Sequence, residues 1–173
     1  QVADYLEGRS GIDAIHLVSH GDVGRIELGD TTLEAGNTDA YADALERIDV
    51  ALAEAGDILL YGCRIGQDGA GQDFIDGLAQ LTGADVAASD DLTGSAALGG
   101  DWDLEALSGS IETDNPIARE SLTGFDHVLA TPVAGFGNAL TFDGTNDDVQ
   151  ISANADLALA QNDFTLEAWF KTT

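Results

Sequence analysis

Residues 58–66 are ILLYGCRIG, an apolar run that ends directly in a glycine and the single cysteine of the chain, Cys63. A short apolar run without alternation is typical of a strand that is buried on both faces of a sheet. A second such run, AIHLV at residues 14–18, ends in Ser19, His20 and Gly21. We therefore predict two buried strands, each followed at once by a residue that can perform chemistry.

The segments around these two strands predict an α/β fold. Residues 25–34 alternate around a Gly-Asp turn and indicate a hairpin, and residues 99–104 indicate a further hairpin or edge strand. Asn37 is expected to cap a helix of about 17 residues that ends at Gly56, and a second helix is expected to end at Gly83. Their apolar stripes are Tyr41, Leu45, Ile48 and Leu52, and then Phe74, Leu78 and Leu81. With a third short strand at 86–88, the order predicts a mainly parallel sheet flanked by helices.

In such a sheet the ligand site lies beyond the carboxyl ends of the strands, which is where His20 and Cys63 fall. A thiol becomes an effective nucleophile when a nearby imidazole accepts its proton. The sequence therefore indicates a catalytic pair, with His20 as general base and Cys63 as nucleophile. The backbone amides of Gly21 and Cys63 are the expected donors to an oxyanion during acyl transfer. The alternative for His20 is a loop histidine without a catalytic role, and the alternative for Cys63 is an inert buried thiol.

The motifs HLVSHG and YGCRIG resemble the pair found in caspases, gingipains and separases, in which one strand ends in His-Gly and another ends in the nucleophilic cysteine. Gly62, Tyr61 and Ile65 depart from the caspase signature. Residues 12 to about 129 are similar to an uncharacterised domain found near the start of very large bacterial surface adhesins. This resemblance implies a caspase-like domain over residues 1–129, whose first strand is expected to precede Gln1.

The resemblance implies a cysteine endopeptidase-like domain at the bacterial cell surface or in the extracellular medium. Its substrate would be a protein or peptide, with its own parent chain as one candidate. In relatives of this fold the substrate pocket follows the next strand, where Asp90 and Asp91 would favour a basic side chain. A solvated acidic turn is the equal alternative for these two residues. The alternative for the whole domain is a non-catalytic structural or binding module of an adhesin.

Residues 130–138 are small and proline-containing and predict a linker. Residues 139–173 alternate like strands and resemble the opening of a laminin-G or concanavalin-type jelly roll, here incomplete. Such domains imply cell-surface glycans as partners. Asp143, Asn146 and Asp147 are candidate calcium ligands in this segment, with a plain turn as the alternative.

Composition narrows the possible partners. Six basic residues against 32 acidic ones give a net charge of −26, which excludes nucleic acid as a natural partner. No apolar run is long enough for membrane insertion. A solvated acidic surface and calcium ligation are the two explanations for the charge. One cysteine excludes an internal disulfide and a cysteine-built zinc site, and the expected chemistry requires no cofactor.

Overall fold

A computed structural model of the chain describes residues 2–113 and 124–130. The linker predicted at 130–138, apart from Ala130, and the β-domain predicted at 139–173 with its candidate calcium ligands lie outside these residues. The helices and strands, in chain order, are α1 (Val2–Leu6), β1 (Ile12–Val18), β2 (Gly21–Asp22), β3 (Arg25–Leu28), β4 (Thr31–Glu34), α2 (Ala42–Ala51), β5 (Leu52–Tyr61), α3 (Asp68–Thr82), β6 (Asp85–Ala88) and β7 (Ala106–Ser108).

The main sheet has four strands in the order β1-β5-β6-β7. The first three strands are parallel, and β7 is antiparallel at the edge. A separate small sheet is formed by β2, β3 and β4. The mixed α/β class with a mainly parallel sheet flanked by helices is therefore confirmed, as is the hairpin at 25–34, whose turn holds Gly29 at φ 63°.

The two faces of β5 have different surroundings. Ile58 and Leu60 join the apolar cluster formed with α2, α3 and the hairpin, in which Phe74 is fully buried. Because side chains alternate along a strand, Asp57 and Tyr61 point to the opposite face. Both are nonetheless buried, and the Tyr61 ring lies 6.0 Å from the His16 ring and 6.3 Å from Trp102. The sheet is thus covered on both sides at its centre.

The helix predicted to run to Gly56 is shorter in the structure. A 3₁₀ turn at Thr38–Tyr41 precedes α2, and α2 ends at Ala51. Leu52 pairs with Ile12 of β1, and the register then shifts so that Ala14 pairs with Asp57. Because of this pairing with β1, strand β5 begins at Leu52 and includes an irregular stretch at 53–56. Leu52 and Gly56 therefore belong to the strand and not to the helix.

Two further local predictions were wrong. Asn37 makes no capping bond to the helix; its side chain accepts from the Glu34 amide (3.0 Å) and donates to the Thr32 carbonyl (2.8 Å), which fixes the chain after β4. Residues 99–104 contain no edge strand, since Gly99 adopts φ 84° after a short 3₁₀ turn and the edge strand follows at Ala106–Ser108. No helix in the described ranges has the length and apolar character needed to cross a bilayer.

Candidate active site at the strand ends

The loops that carry His20 and Cys63 begin at the same level of the sheet. Val18 and Tyr61 are paired residues at the ends of β1 and β5, and His20 and Cys63 each follow two positions later. The Ser19 amide donates to the Tyr61 carbonyl at 3.0 Å, which continues the strand pairing into the loops. The sheet therefore delivers the two residues to neighbouring loops on one edge.

These two loops pack backbone against backbone. A Cβ atom at Gly62 would lie 2.6 Å from the Ser19 carbonyl oxygen and 3.3 Å from the Gly21 amide nitrogen. A Cβ atom at Gly21 would lie 2.5 Å from Cγ1 of Ile65 and 3.2 Å from the Cys63 carbonyl oxygen. Glycine at both positions is required by this close approach, because any side chain would force the loops apart.

Cys63 is completely buried. Its thiol donates a hydrogen bond to the Thr93 carbonyl at an Sγ–O distance of 3.6 Å. Burial raises the pKa of the Cys63 thiol, and backbone contacts with Thr93 and Leu129 and the charge of Arg64 oppose that rise only in part. In this conformation the sulfur is therefore a protonated thiol, because a thiolate would be poorly solvated here.

The loop after Cys63 is held from two sides. Arg64 adopts φ 61°, a left-handed conformation that is uncommon outside glycine. Its amide donates to the Asp91 carbonyl at 2.6 Å, and its guanidinium forms an ion pair with Asp22 at 3.1 Å. These contacts fix the turn that positions Cys63.

His20 is held between the main sheet and the hairpin. Its carbonyl accepts a hydrogen bond from the Glu27 amide at 2.9 Å, and its ring is half-buried. Its Nδ1 atom is buried and has no hydrogen-bond partner among the residues that the structure describes. A buried ring nitrogen without a partner is a hydrogen-bonding group that the described residues leave unsatisfied.

Residues 125–130, which we call the covering segment, lie across this edge of the sheet. The Leu129 amide donates to the Thr93 carbonyl at 2.9 Å, and the Leu129 carbonyl accepts from the Gly21 amide at 3.1 Å. The His127 carbonyl accepts from the Ser95 amide at 2.8 Å. The Phe125 ring packs edge-on against Trp102 at 5.4 Å. The segment thus closes the site over Cys63 and engages the Gly21 amide, which was expected to donate to an oxyanion.

Acidic side chains line the neighbouring loop. Asp90 and Asp91 follow β6, as predicted, and Glu105 accepts a hydrogen bond from the Asp90 amide at 3.0 Å. The pKa of Asp91 is raised by burial and by the charges of Asp101, Asp90 and Asp103, and the pKa of Glu105 is raised mainly by burial. Asp91 is also close enough to Cys63 to act on its pKa. The structure therefore places the Asp91 carboxylate near enough to Cys63 for its charge to raise the pKa of the thiol.

A cavity of about 400 Å³ lies elsewhere, among α1, α2, β1, β5 and the hairpin. Its walls are mostly apolar and include Ile15, Leu28 and Ile48. Neither His20 nor Cys63 lines it, so it is not part of the strand-end site.

Sequence reasoning found the two strand-end residues but missed the covering segment and the Thr93 carbonyl. Residues 125–130 are a short, mixed stretch whose partners lie far away in sequence, so no periodic pattern marks them. The apolar pair Val128 and Leu129 was the one available signal.

Comparison with known proteins identifies a family. The model of a family described as "Domain of unknown function (DUF4347)" matches residues 1–129. Neither a curated protein nor a solved structure matches the chain significantly. Since the matched residues make up most of the sequence and include His20 and Cys63, the chain belongs to the DUF4347 family.

Proposed function

We propose that this domain is a caspase-like cysteine endopeptidase domain of a bacterial secreted or cell-surface adhesin, in which the covering segment closes the active site at rest. The observation that carries the proposal is the pairing of Val18 with Tyr61, which sets His20 and Cys63 in neighbouring loops. Support also comes from the close packing of those loops at Gly62 and Gly21.

In the proposed reaction the Cys63 thiol gives its proton to His20, and the sulfur attacks the carbonyl carbon of a substrate peptide bond. The carbon–nitrogen bond then breaks, and the leaving amine takes the proton from His20. Water, deprotonated by His20, attacks the thioester, which releases the acid and restores the thiol. The amides of Cys63 and Gly21 stabilise the oxyanion in both steps. None of these steps uses a cofactor.

The covering segment has the geometry of a blocking peptide. The Leu129 carbonyl already accepts from the Gly21 amide, as a substrate carbonyl would in the reaction. Its backbone also contacts Cys63. A substrate therefore binds only after this segment has moved. The covering segment, FDHVLA, contains no arginine or lysine, so it does not match an acidic pocket and acts as a plug rather than as a substrate.

The proposed substrate is a protein or peptide with arginine or lysine before the cut. Asp90 and Asp91 lie beside the Cys63 loop, and a carboxylate pairs favourably with a cationic side chain. If the parent chain is itself a substrate, Arg119 and Lys171 are the basic residues of this sequence that follow the Cys63 loop. The adjoining residues 139–173 fit a laminin-G-like glycan-binding neighbour, with calcium held by Asp143, Asn146 and Asp147.

A second function has its own support. Complete burial of Cys63, its bond to Thr93 and the raised pKa of its thiol are the properties of a structural cysteine. On this alternative the domain is a non-catalytic module of an adhesin, and the covering segment is a permanent part of its core.

A matched pair of glycine variants separates the two functions. A Cβ atom at Gly94 would collide with the covering segment, 2.9 Å from Cα of Val128, whereas one at Gly99 would contact nothing within 4 Å. Both glycines have positive φ, 136° at Gly94 and 84° at Gly99, so Gly99→Ala also introduces backbone strain but no collision. We expect Gly94→Ala, but not Gly99→Ala, to speed labelling of Cys63 by an arginyl acyloxymethyl ketone at pH 7 at least tenfold.

Adding His20→Ala to Gly94→Ala is expected to abolish the fast labelling, because the imidazole activates the thiol. If Cys63 in the opened variant instead reacts as an ordinary thiol, with an apparent pKa near about 8.5 whether or not His20 is present, the module alternative is correct. Intact mass measurement of Gly94→Ala beside Gly94→Ala/Cys63→Ala then shows whether the chain is cut after Arg119 or Lys171.

A further inference from the structure

A second group of acidic residues lies at the opposite end of the parallel strands from Cys63. Asp57 and Asp85 are paired residues on β5 and β6, so their side chains lie next to each other on one face of the sheet. Glu112 reaches the same place from the chain that follows β7. One carboxylate oxygen from each of the three residues lies within 4.8 Å of the others.

Asp57 is the centre of this group. It is completely buried, and its Oδ2 atom accepts hydrogen bonds from the amides of Glu112 (3.2 Å) and Thr113 (3.0 Å). Its Oδ1 atom is also buried and has no hydrogen-bond partner within residues 2–113 and 124–130. An unsatisfied carboxylate oxygen inside a protein is costly, and buried charges are normally paired or coordinate a metal ion.

The described arginines do not supply the missing positive charge. Arg25 and Arg64 pair with Asp22, Arg47 pairs with Asp4, and Arg9 donates to the Tyr5 carbonyl and stacks on its ring. Among the ion pairs of the described residues, none includes a member of the Asp57 group. His16 lies within electrostatic range of Asp57, but burial lowers the pKa of its imidazole, so the ring is neutral at pH 7. In a chain of net charge −26, a cation from solution is therefore the natural partner.

The geometry points to a calcium site formed by Asp57, Asp85 and Glu112. Calcium binds carboxylate oxygens at about 2.3–2.6 Å, so two of its ligands lie up to about 5 Å apart. Magnesium, at about 2.0–2.1 Å, spans only about 4 Å and demands stricter octahedral geometry. Oxygens no more than 4.8 Å apart are within the span of a calcium ion, whose flexible coordination also suits carboxylates placed by the fold. Exposed Glu112 completes the site from the surface and leaves room for water ligands.

This site has a structural consequence that is independent of the proposed peptidase. It joins the middle of β5 and the start of β6 to the chain after β7, so bound calcium ties that chain to this end of the parallel pairing. Ligands that bind only the folded state stabilise it by mass action. Calcium is thus expected to raise the thermal unfolding temperature through these three residues.

Calorimetric titration of the whole chain with calcium chloride tests the inference. We expect Glu112→Gln and Asp85→Asn each to weaken one calcium-binding event at least tenfold. Glu112 is exposed and its replacement is nearly isosteric, so the apo variant should unfold at the wild-type temperature and retain the fold. In the melt, calcium should stabilise wild-type protein but not Glu112→Gln, and magnesium at equal concentration should stabilise it less.

Two control variants exclude other acidic groups. Asp101→Asn changes a surface cluster whose members are all exposed, and Asp143→Asn/Asp147→Asn changes the candidate ligands of residues 139–173. Neither control should alter the event that Glu112→Gln weakens. The inference is overturned if wild-type protein binds no calcium at about 10 mM, above the weakest range for extracellular calcium modules. It is equally overturned if Glu112→Gln and Asp85→Asn bind as wild type, or if Asp101→Asn weakens the same event.

Discussion

Replacing Gly62 by alanine tests whether the His20 and Cys63 loops are packed as closely as the structure has them. The new methyl group would lie 2.6 Å from the Ser19 carbonyl oxygen and 2.9 Å from Cδ1 of Ile65. The isoleucine methyl can turn away, but the Ser19 backbone cannot move freely. The Ser19 amide is bonded to Tyr61, and its hydroxyl donates to the Glu27 carbonyl. The loops must therefore separate.

Overpacking of this kind costs about 1–3 kcal/mol. Gly62 does not adopt a positive φ, so alanine fits its backbone conformation and lowers the conformational entropy of the unfolded chain. This effect offsets about 0.5 kcal/mol of the cost. The net loss in the free energy of unfolding is about 1.5 kcal/mol. At about 4 °C per kcal/mol for a domain of this size, the unfolding temperature should fall by about 6 °C.

Gly77→Ala is the matched control. Gly77 lies inside α3, and a Cβ atom there would contact nothing within 4 Å. Alanine in a helix interior is favoured over glycine by about 1 kcal/mol, so this variant should melt about 4 °C higher than wild type. Urea unfolding and thermal melts of the two variants give the comparison. Equal stability of Gly62→Ala and Gly77→Ala would refute the close packing of the His20 and Cys63 loops.

Three further predictions concern the core and the titrating groups. Phe74→Ala should lower the free energy of unfolding by about 3–5 kcal/mol in urea titrations, while Val50→Ala on the exposed side of α2 should change it by less than about 0.5 kcal/mol. Because burial raises the folded-state pKa of Cys63 above the ordinary thiol value of about 8.5, the stability linked to its proton is complete below that pH and is lost as pH rises further. The decline in wild-type stability between pH 9 and 10.5 should therefore be shallower in Cys63→Ala. Burial raises the folded-state pKa of Glu105 above its usual 4.5, so the ionised carboxylate opposes folding at higher pH. Glu105→Gln should therefore increase the free energy of unfolding at pH 7 by up to about 0.5 kcal/mol in chemical unfolding, and this gain should disappear near pH 4.

Short apolar runs bounded by glycine and polar residues were sufficient to predict the central strands. Residues 14–18 and 58–61 lie in β1 and β5, and α3 ends at Gly83, which adopts the left-handed conformation expected of a helix stop. The placement of His20 and Cys63 on one edge followed from the parallel order alone. These features depend on local composition and on a general rule of sheet topology.

Features set by distant contacts were not predictable in the same way. Leu52 continues the helical spacing of Leu45 and Ile48, yet pairing with Ile12 places it in a strand. Asn37 has the chemistry of a helix cap, but the Thr32 carbonyl and the Glu34 amide compete successfully for its side chain. The covering segment and the Asp57 group depend on residues that lie far apart in sequence. Leu129 and Gly21 are 108 positions apart, and Glu112 and Asp57 are 55 positions apart, so no periodic pattern encodes these contacts.

Shielding of the lone cysteine also bears on how the protein behaves in an oxidising medium. An accessible thiol there would be converted to sulfenic acid or would crosslink two molecules through a disulfide. With Cys63 wholly enclosed, copies of this chain stay uncrosslinked even at high local density. Displacement of residues 125–130 would expose the sulfur to peroxide, so a form of the proposed peptidase opened in this way would be sensitive to oxidation.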